Sequence, residues 1–215
     1  MTQGQALSGN PPIVCIIDDE ISVRKSLMDL FESVEMEAAA YEGPRDFLRR
    51  ADMDRAGCIL LDVLMPEVNG LDFQIELANA GNLKPIVFMS GYGTVPMTVQ
   101  AIKAGASDFL LKPFTDTIVI SAASNAIDRD ARNRERKGVR LAALAAAATL
   151  TPREKEVMTH VTRGLMNKQI AYEMQISEIM VKLHRGRMMK KMKVRSIADL
   201  VRRFDLLADD HEQTA

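Results

Sequence analysis

Four short aliphatic runs constrain this chain most: Ile13 to Ile17, Cys58 to Leu61, Pro85 to Met89 and Asp108 to Leu111. All four are bounded by turn formers and read as buried strands. Between them lie stretches with helical spacing, Val23 to Val34, Leu71 to Ala80 and Val95 to Ala104, the last stopped by Gly105. Strand and helix in alternation dictate a parallel sheet with helices on both faces, an α/β doubly wound architecture. A further strand is expected at about Met36 to Tyr41, although EAAAYE is also compatible with helix; Pro44 after Gly43 suits a first helical position.

Beyond Pro113 the pattern changes. A helix is expected from near Thr115 to about Arg136, densely charged from Asp128 onward, interrupted by Gly138 and followed by the alanine-rich stretch Leu141 to Ala148. High alanine content favours a semi-rigid helical spacer, with low-complexity filler as the alternative. The organisation read from the sequence is therefore a first domain over 12–132, a helical linker over 133–148 and a second domain over 149–208. The second domain opens on Thr151, Pro152 and Glu154, a capping box with proline at the first helical position. Gly164 ends that helix, Asn167 to Met174 forms a second, Ser177 caps a third reaching about Lys193, and Ser196 caps a fourth through about Leu206. Two of these helices are separated only by Gln175 and Ile176, which makes a smaller all-α unit of four helices with a helix-turn-helix inside it. The tail from Ala208 to Ala215 is expected to fray.

The 215 residues suffice for one ordinary domain and a small one, and 47% hydrophobic content permits a proper core. No apolar run reaches the roughly 18 residues that cross a bilayer, and the leader MTQGQALSGNPP is polar and unlike a signal peptide. The expectation is a cytoplasmic protein with no membrane contact, whose Cys15 and Cys58 are buried, reduced and inert. Three histidines without ligand spacing argue against zinc. From Thr151 to Arg203 there are 13 Lys or Arg against 5 Asp or Glu, a balance of +8, which leaves −9 on the rest of a chain of net charge −1. Such asymmetry separates an acidic front from a basic back that faces a polyanion.

Asp18 and Asp19 follow the first run, Asp62 follows the second and Lys112 follows the last. In an open parallel sheet these strand ends converge on one crevice. Three carboxylates there repel unless a cation joins them, and hard oxygen ligands with open positions suit Mg²⁺. The chemistry implied is phosphoryl transfer onto a carboxylate. The segments IIDDE (Ile16 to Glu20), LDVLMPEVNG (Leu61 to Gly70), FMSGYG (Phe88 to Gly93) and DFLLKPF (Asp108 to Phe114), in that order, resemble the receiver domain of two-component response regulators. The resemblance covers roughly Ile13 to Arg132 and implies a flavodoxin-like sheet of five parallel strands in the order 2-1-3-4-5. It further implies that Asp62 accepts a phosphoryl group from a sensor histidine kinase and that Asp18, Asp19, Asp62 and the Leu64 carbonyl hold Mg²⁺. Lys112, next to a cis Pro113, would neutralise charge on the transferring oxygens. Ser90 would bond the new phosphate and Phe109 turn inward behind it, carrying the change to the surface near Val95 and Asp108. Leu64 stands where relatives often carry a polar residue.

The stretch from Leu150 to Met192 resembles the LuxR-type helix-turn-helix, most closely the FixJ branch. On its third helix Val181, His184, Met188 and Met192 share an expected inward stripe, while Lys182, Arg185, Gly186 and Met189 face outward. A helix fits the major groove. The resemblance implies base reading by residues at Lys182, Leu183 and Gly186, with Lys168, Arg187 and Lys190 on phosphates and Arg185 on the same basic face. Met180 replaces a small hydroxyl residue, and Gln175 replaces the turn glycine, implying positive φ or another turn geometry. Ile197, Leu200, Val201 and Phe204 follow helical spacing on an element the family uses for pairing. The function expected is a phosphorylation-dependent DNA-binding transcriptional regulator, homodimeric when phosphorylated, with a sensor histidine kinase and promoter DNA as partners and RNA polymerase as a further candidate. Two alternatives stand beside it: a receiver-fused module that binds protein, and a Mg²⁺-dependent small-molecule phosphatase. The latter generally needs an Asp two residues after the nucleophile, where this chain has Leu64.

Overall fold

The computed structural model describes residues 10–208 apart from residues 67 and 83. Most of the leader and the tail beyond residue 208 lie outside the described residues. The chain divides into two compact units between Arg134 and Glu135.

In the first unit β1 (Ile13–Ile17), β2 (Glu37–Tyr41), β3 (Gly57–Asp62), β4 (Ile86–Ser90) and β5 (Asp108–Leu111) form one parallel sheet in the order β2-β1-β3-β4-β5. The segment EAAAY is a strand, because its alanines pair with the fully buried β1 from Ile13↔Glu37 to Ile17↔Tyr41. Tertiary pairing overrides the helical propensity of alanine here. The connecting helices are α1 (Ile21–Ser33), α2 (Pro44–Arg50), α3 (Gly70–Asn79) and α4 (Val95–Lys103). Because successive strand residues face opposite ways, β1 feeds two cores. Val14 and Ile16 pack with Phe31 of α1, while Cys15 and Ile17 pack with Phe47 of α2 and Phe73 of α3. Both cysteines are buried and free.

The next helix, α5, spans Asp116–Ala148 without a break. The expected interruption at Gly138 does not occur. A glycine costs an exposed helix only about 1 kcal/mol relative to alanine, and the alanine-rich turns after it favour continuation. The boundary between the units falls inside this helix. Its part within the first unit is tied to the chain entering β3: the buried carboxylate of Asp130 accepts from Gly57 N at 2.8 Å and from Arg134 Nε at 2.7 Å. Arg134 also donates to the carbonyls of Asp54 and Arg55. Gly57 is required there: its φ is +152°, and a Cβ would lie 1.9 Å from the Ile13 carbonyl oxygen.

The second unit contains α6 (Pro152–Thr162), α7 (Asn167–Met174), α8 (Glu178–Lys191) and α9 (Ile197–Ala208). The capping box forms as the sequence requires, with Thr151 Oγ1 accepting from Glu154 N and Glu154 Oε2 accepting from Thr151 N at 2.8 Å. Val157, Val161, Ile170, Met174, Val181, Met188, Met192 and Leu200 make its core. Gln175 adopts φ 53° and ψ 43°, so the left-handed turn is kept without a glycine. Met189 is not on the outward face: it is half-buried and packs against this core.

Candidate functional site: an acidic crevice and a basic helix

The sheet register brings the chemistry together. Ile17 pairs with Leu61, Asp62 with Met89, and Ser90 with Leu111, so the residues closing β1, β3, β4 and β5 lie side by side along one edge. This is the edge where β1 and β3 lead their helices to opposite faces, the switch point of a doubly wound sheet. Lys112 Nζ lies there between two carboxylates, 2.7 Å from Asp18 Oδ2 and 2.8 Å from Asp62 Oδ1. Asp18 is fully buried and Asp62 nearly so. The second oxygen of each is also engaged: Asp62 Oδ2 accepts from Leu64 N at 2.8 Å and Asp18 Oδ1 from Glu20 N at 2.9 Å. The Lys112–Pro113 peptide is cis, as the resemblance implies.

Burial raises the Asp62 pKa; the hydrogen bond and charge of Lys112 oppose this and the neighbouring Asp18 carboxylate adds to it, leaving a net upward shift. Burial pulls Lys112 down, yet its hydrogen bonds to Asp18 and Asp62 and their charges outweigh burial and hold the ammonium above the ordinary lysine value. The ammonium is therefore charged at neutral pH and faces two carboxylates.

Asp19 is exposed, and among the described residues no three acidic or other ligating side chains gather into a metal-holding cluster. The structure thus joins Asp18, Asp62 and Lys112 directly and leaves the Asp19 carboxylate to solvent. Even so, the donor chemistry fits a small divalent cation. Two buried carboxylates against one ammonium leave negative charge, and Mg²⁺ is usually held by one or two carboxylates with its remaining positions filled by water and phosphate oxygens.

Ser90 is buried, with Oγ accepting from Tyr92 N at 3.2 Å and its carbonyl accepting from Lys112 N at 2.8 Å. Phe109 is half-buried with its ring 6.0 Å from that of Phe88. Gly93 passes close above β5: a Cβ there would lie 2.2 Å from Leu111 Cδ2 and 2.9 Å from Phe109 Cε1. One residue that sequence reading missed is Arg24, on α1, whose Nη1 donates to the Asp18 carbonyl at 2.7 Å and the Asp19 carbonyl at 2.9 Å. In the sequence it looks like any surface charge on a helix, and only the path of the β1–α1 loop around it reveals that it braces the acidic turn.

In the second unit Lys168, Lys182, Leu183, Gly186, Arg187 and Lys190 are all exposed. Arg185 differs. It is half-buried, and its Nη1 donates to Asn167 Oδ1 at 2.8 Å, tying α8 to the first residue of α7. His184 is half-buried, as expected of a packing residue.

Comparison with known proteins adds to this geometry. Residues 14–124 match the family described as response regulator receiver domain, and residues 148–204 match bacterial regulatory proteins, luxR family. Nodulation protein W of Bradyrhizobium diazoefficiens is 44% identical over 214 residues, an overlap of 98% of this chain and 94% of that protein. Response regulator protein TmoT of Ectopseudomonas mendocina is 39% identical over 205 residues, with coverage of 95% and 93%. The solved structure of response regulator StyR matches with a TM-score of 0.79 at 37% identity, covering 91% of this chain and 99% of that one. Full-length FixJ from B. japonicum matches with a TM-score of 0.56 at 32% identity, covering 92% and 98%.

Proposed function

This chain belongs to the two-component response regulators that join a receiver domain to a LuxR-type DNA-binding domain, and from that premise we propose that phosphorylation of Asp62 controls its binding to promoter DNA. The single observation that carries this reading is Lys112 Nζ held between Asp18 Oδ2 and Asp62 Oδ1 at the mouth of the sheet.

In the step proposed, a carboxylate oxygen of Asp62 attacks the phosphorus of a phosphohistidine on a sensor kinase. The P–N bond breaks and its electron pair leaves with the imidazole. Lys112 places a positive charge on Asp62 before reaction, so it stands ready to offset charge on the transferring oxygens. Leu64 N–H fixes the other carboxylate oxygen, and Arg24 holds the turn that carries Asp18 and Asp19. Asp18, Asp19, Asp62 and the Leu64 carbonyl would hold Mg²⁺, which supplies further charge neutralisation when bound. Ser90 is the candidate partner of the new phosphate. Gly93 passes so close to Phe109 and Leu111 that no side chain would fit there, so a shift of Phe109 would be felt by this loop.

Beside that switch lies an apolar surface: Val95, Val99 and Ile102 on α4, with Leu111 on β5, are exposed. It supports a homodimer formed on phosphorylation. Exposed Lys168, Arg187 and Lys190 supply the phosphate contacts, Lys182, Leu183 and Gly186 face the base edges, and Arg185 positions the two helices through Asn167. Among the described residues no helix is long and apolar enough to cross a membrane. We place the protein in the cytoplasm with its kinase, its promoter and RNA polymerase. An enzymatic role as a phosphatase is not favoured, since Leu64 offers no general acid two residues after Asp62.

The test is incubation with Mg²⁺ and acetyl phosphate, read by intact mass, sizing and DNA binding against Asp62→Ala. The mass of one phosphoryl group should appear only with Asp62 present, together with larger assemblies and tighter binding. Full modification with unchanged assembly and DNA affinity would remove the switch.

A further inference from the structure

Charge does not account for the whole outward face of α8. Ile179, Leu183 and Gly186 stand at i, i+4 and i+7 along this helix, which places them in one line on its surface. Ile179 is 77% exposed and Leu183 42%. The core of the unit takes Val181, Met188 and Met192 from the other side of the helix and uses neither of these two residues. Gly186 answers no demand of the fold: a Cβ there meets nothing within 4 Å. In the interior of a helix it costs about 1 kcal/mol relative to alanine. The line is flanked by exposed cations, with Lys182 on one side, Arg187 on the other and Lys190 a turn further on.

A partner for this surface must be polyanionic at the rim and carry small apolar groups at the centre. The major groove of DNA meets both conditions. Its phosphates face the lysines and arginine, and its only methyl group is the C5 methyl of thymine. We infer that Ile179 and Leu183 read thymine methyl groups, with Gly186 giving a base edge the clearance to come against the helix beside them. This rests on the DNA-binding reading above and adds to it a preference for a base through apolar packing. Met180, 40% exposed at the edge of the same face, extends its apolar character.

Duplexes recovered from a random pool by the full chain, treated with Mg²⁺ and acetyl phosphate, provide the probe. The same duplexes are resynthesised with deoxyuridine for thymidine, which removes the methyl and leaves every hydrogen-bonding group in place. The native chain should bind the uracil duplex about fourfold more weakly for each thymine methyl taken away from Ile179 or Leu183, the factor expected for one buried methyl group. Ile179→Ser and Leu183→Ser should each bring the ratio toward one while leaving the salt dependence unchanged, and thermal melting checks that they fold. Gly186→Ala should melt higher yet bind both duplexes more weakly. Equal affinity of the native chain for the two duplexes, or an undiminished ratio in the double serine variant, overturns the inference and leaves DNA binding intact. Absence of salt-dependent binding to any duplex overturns the DNA-binding reading, and this inference with it.

Discussion

Asp18 and Asp62 are two nearly buried carboxylates with one ammonium between them, so removing any of the three redistributes the cost of burial among the others. Asp62 titrates above the ordinary aspartate value, chiefly through burial. A carboxyl raised in this way stabilises the fold below its unfolded pKa and loses that contribution as pH rises through the folded value. Asp62→Asn should therefore melt higher than the native chain at neutral pH, with a gain that shrinks as pH falls through the carboxylate range. A gain that grew on acidification would contradict the assigned direction. Lys112→Ala has the opposite sign. It leaves Asp18 and Asp62 facing one another without a counter-charge, and about 3 kcal/mol of receiver stability should be lost. Chemical denaturation measures that loss, and the rate of phosphorylation by acetyl phosphate should fall with it.

Among the elements, α5 and α6 show how local chemistry and packing divide the work. Gly138 lies inside α5 with open space around it, so Gly138→Ala should raise the melting temperature, a gain of up to about 1 kcal/mol, with slightly greater helicity by circular dichroism. A drop in stability would mean that the glycine serves a conformation other than this helix. At the start of α6, Glu154 closes the capping box and also accepts from Lys191 Nζ at 2.6 Å. Lys191 holds its carboxyl below the ordinary glutamate value, against a smaller opposing effect of burial. That stabilisation is present above the unfolded pKa and is lost as pH falls through the folded one. Glu154→Ala should cost about 1–2 kcal/mol near neutrality, and the native and variant chains should converge in acid. The sequence displays the capping box openly, but nothing local in it announces Lys191, which arrives from α8.

For the whole molecule the acidic and basic units make different demands on solution conditions. Affinity for DNA should fall steeply with salt, and Lys190→Ala should lower the slope of log K against log salt by about one, with little change in sequence preference. A slope unaltered by this substitution would place Lys190 away from phosphates. Phosphorylated protein should form the larger assembly by sizing, and Val99→Glu on the exposed α4 face should abolish it while leaving the mass gain at Asp62 intact.

The parallel α/β unit and the capped helices of the second unit were legible in the residues themselves. Short aliphatic runs, helical periodicity and capping chemistry are local properties, and their order allows few topologies. Asp62 and Lys112 were legible for the same reason, since a polar residue closing a buried strand can only lie at the sheet edge. What the tertiary structure decided involved distance along the chain. It settled β2 as a strand against its alanine content, because pairing with β1 outweighs propensity. It joined Asp130 to Gly57, gave Arg24 its bracing role, packed Met189 against the core and tied Arg185 to Asn167. Each of these rests on an interaction between groups whose separation in space no local pattern encodes, and the energy of such an interaction exceeds the small intrinsic preference it overrides.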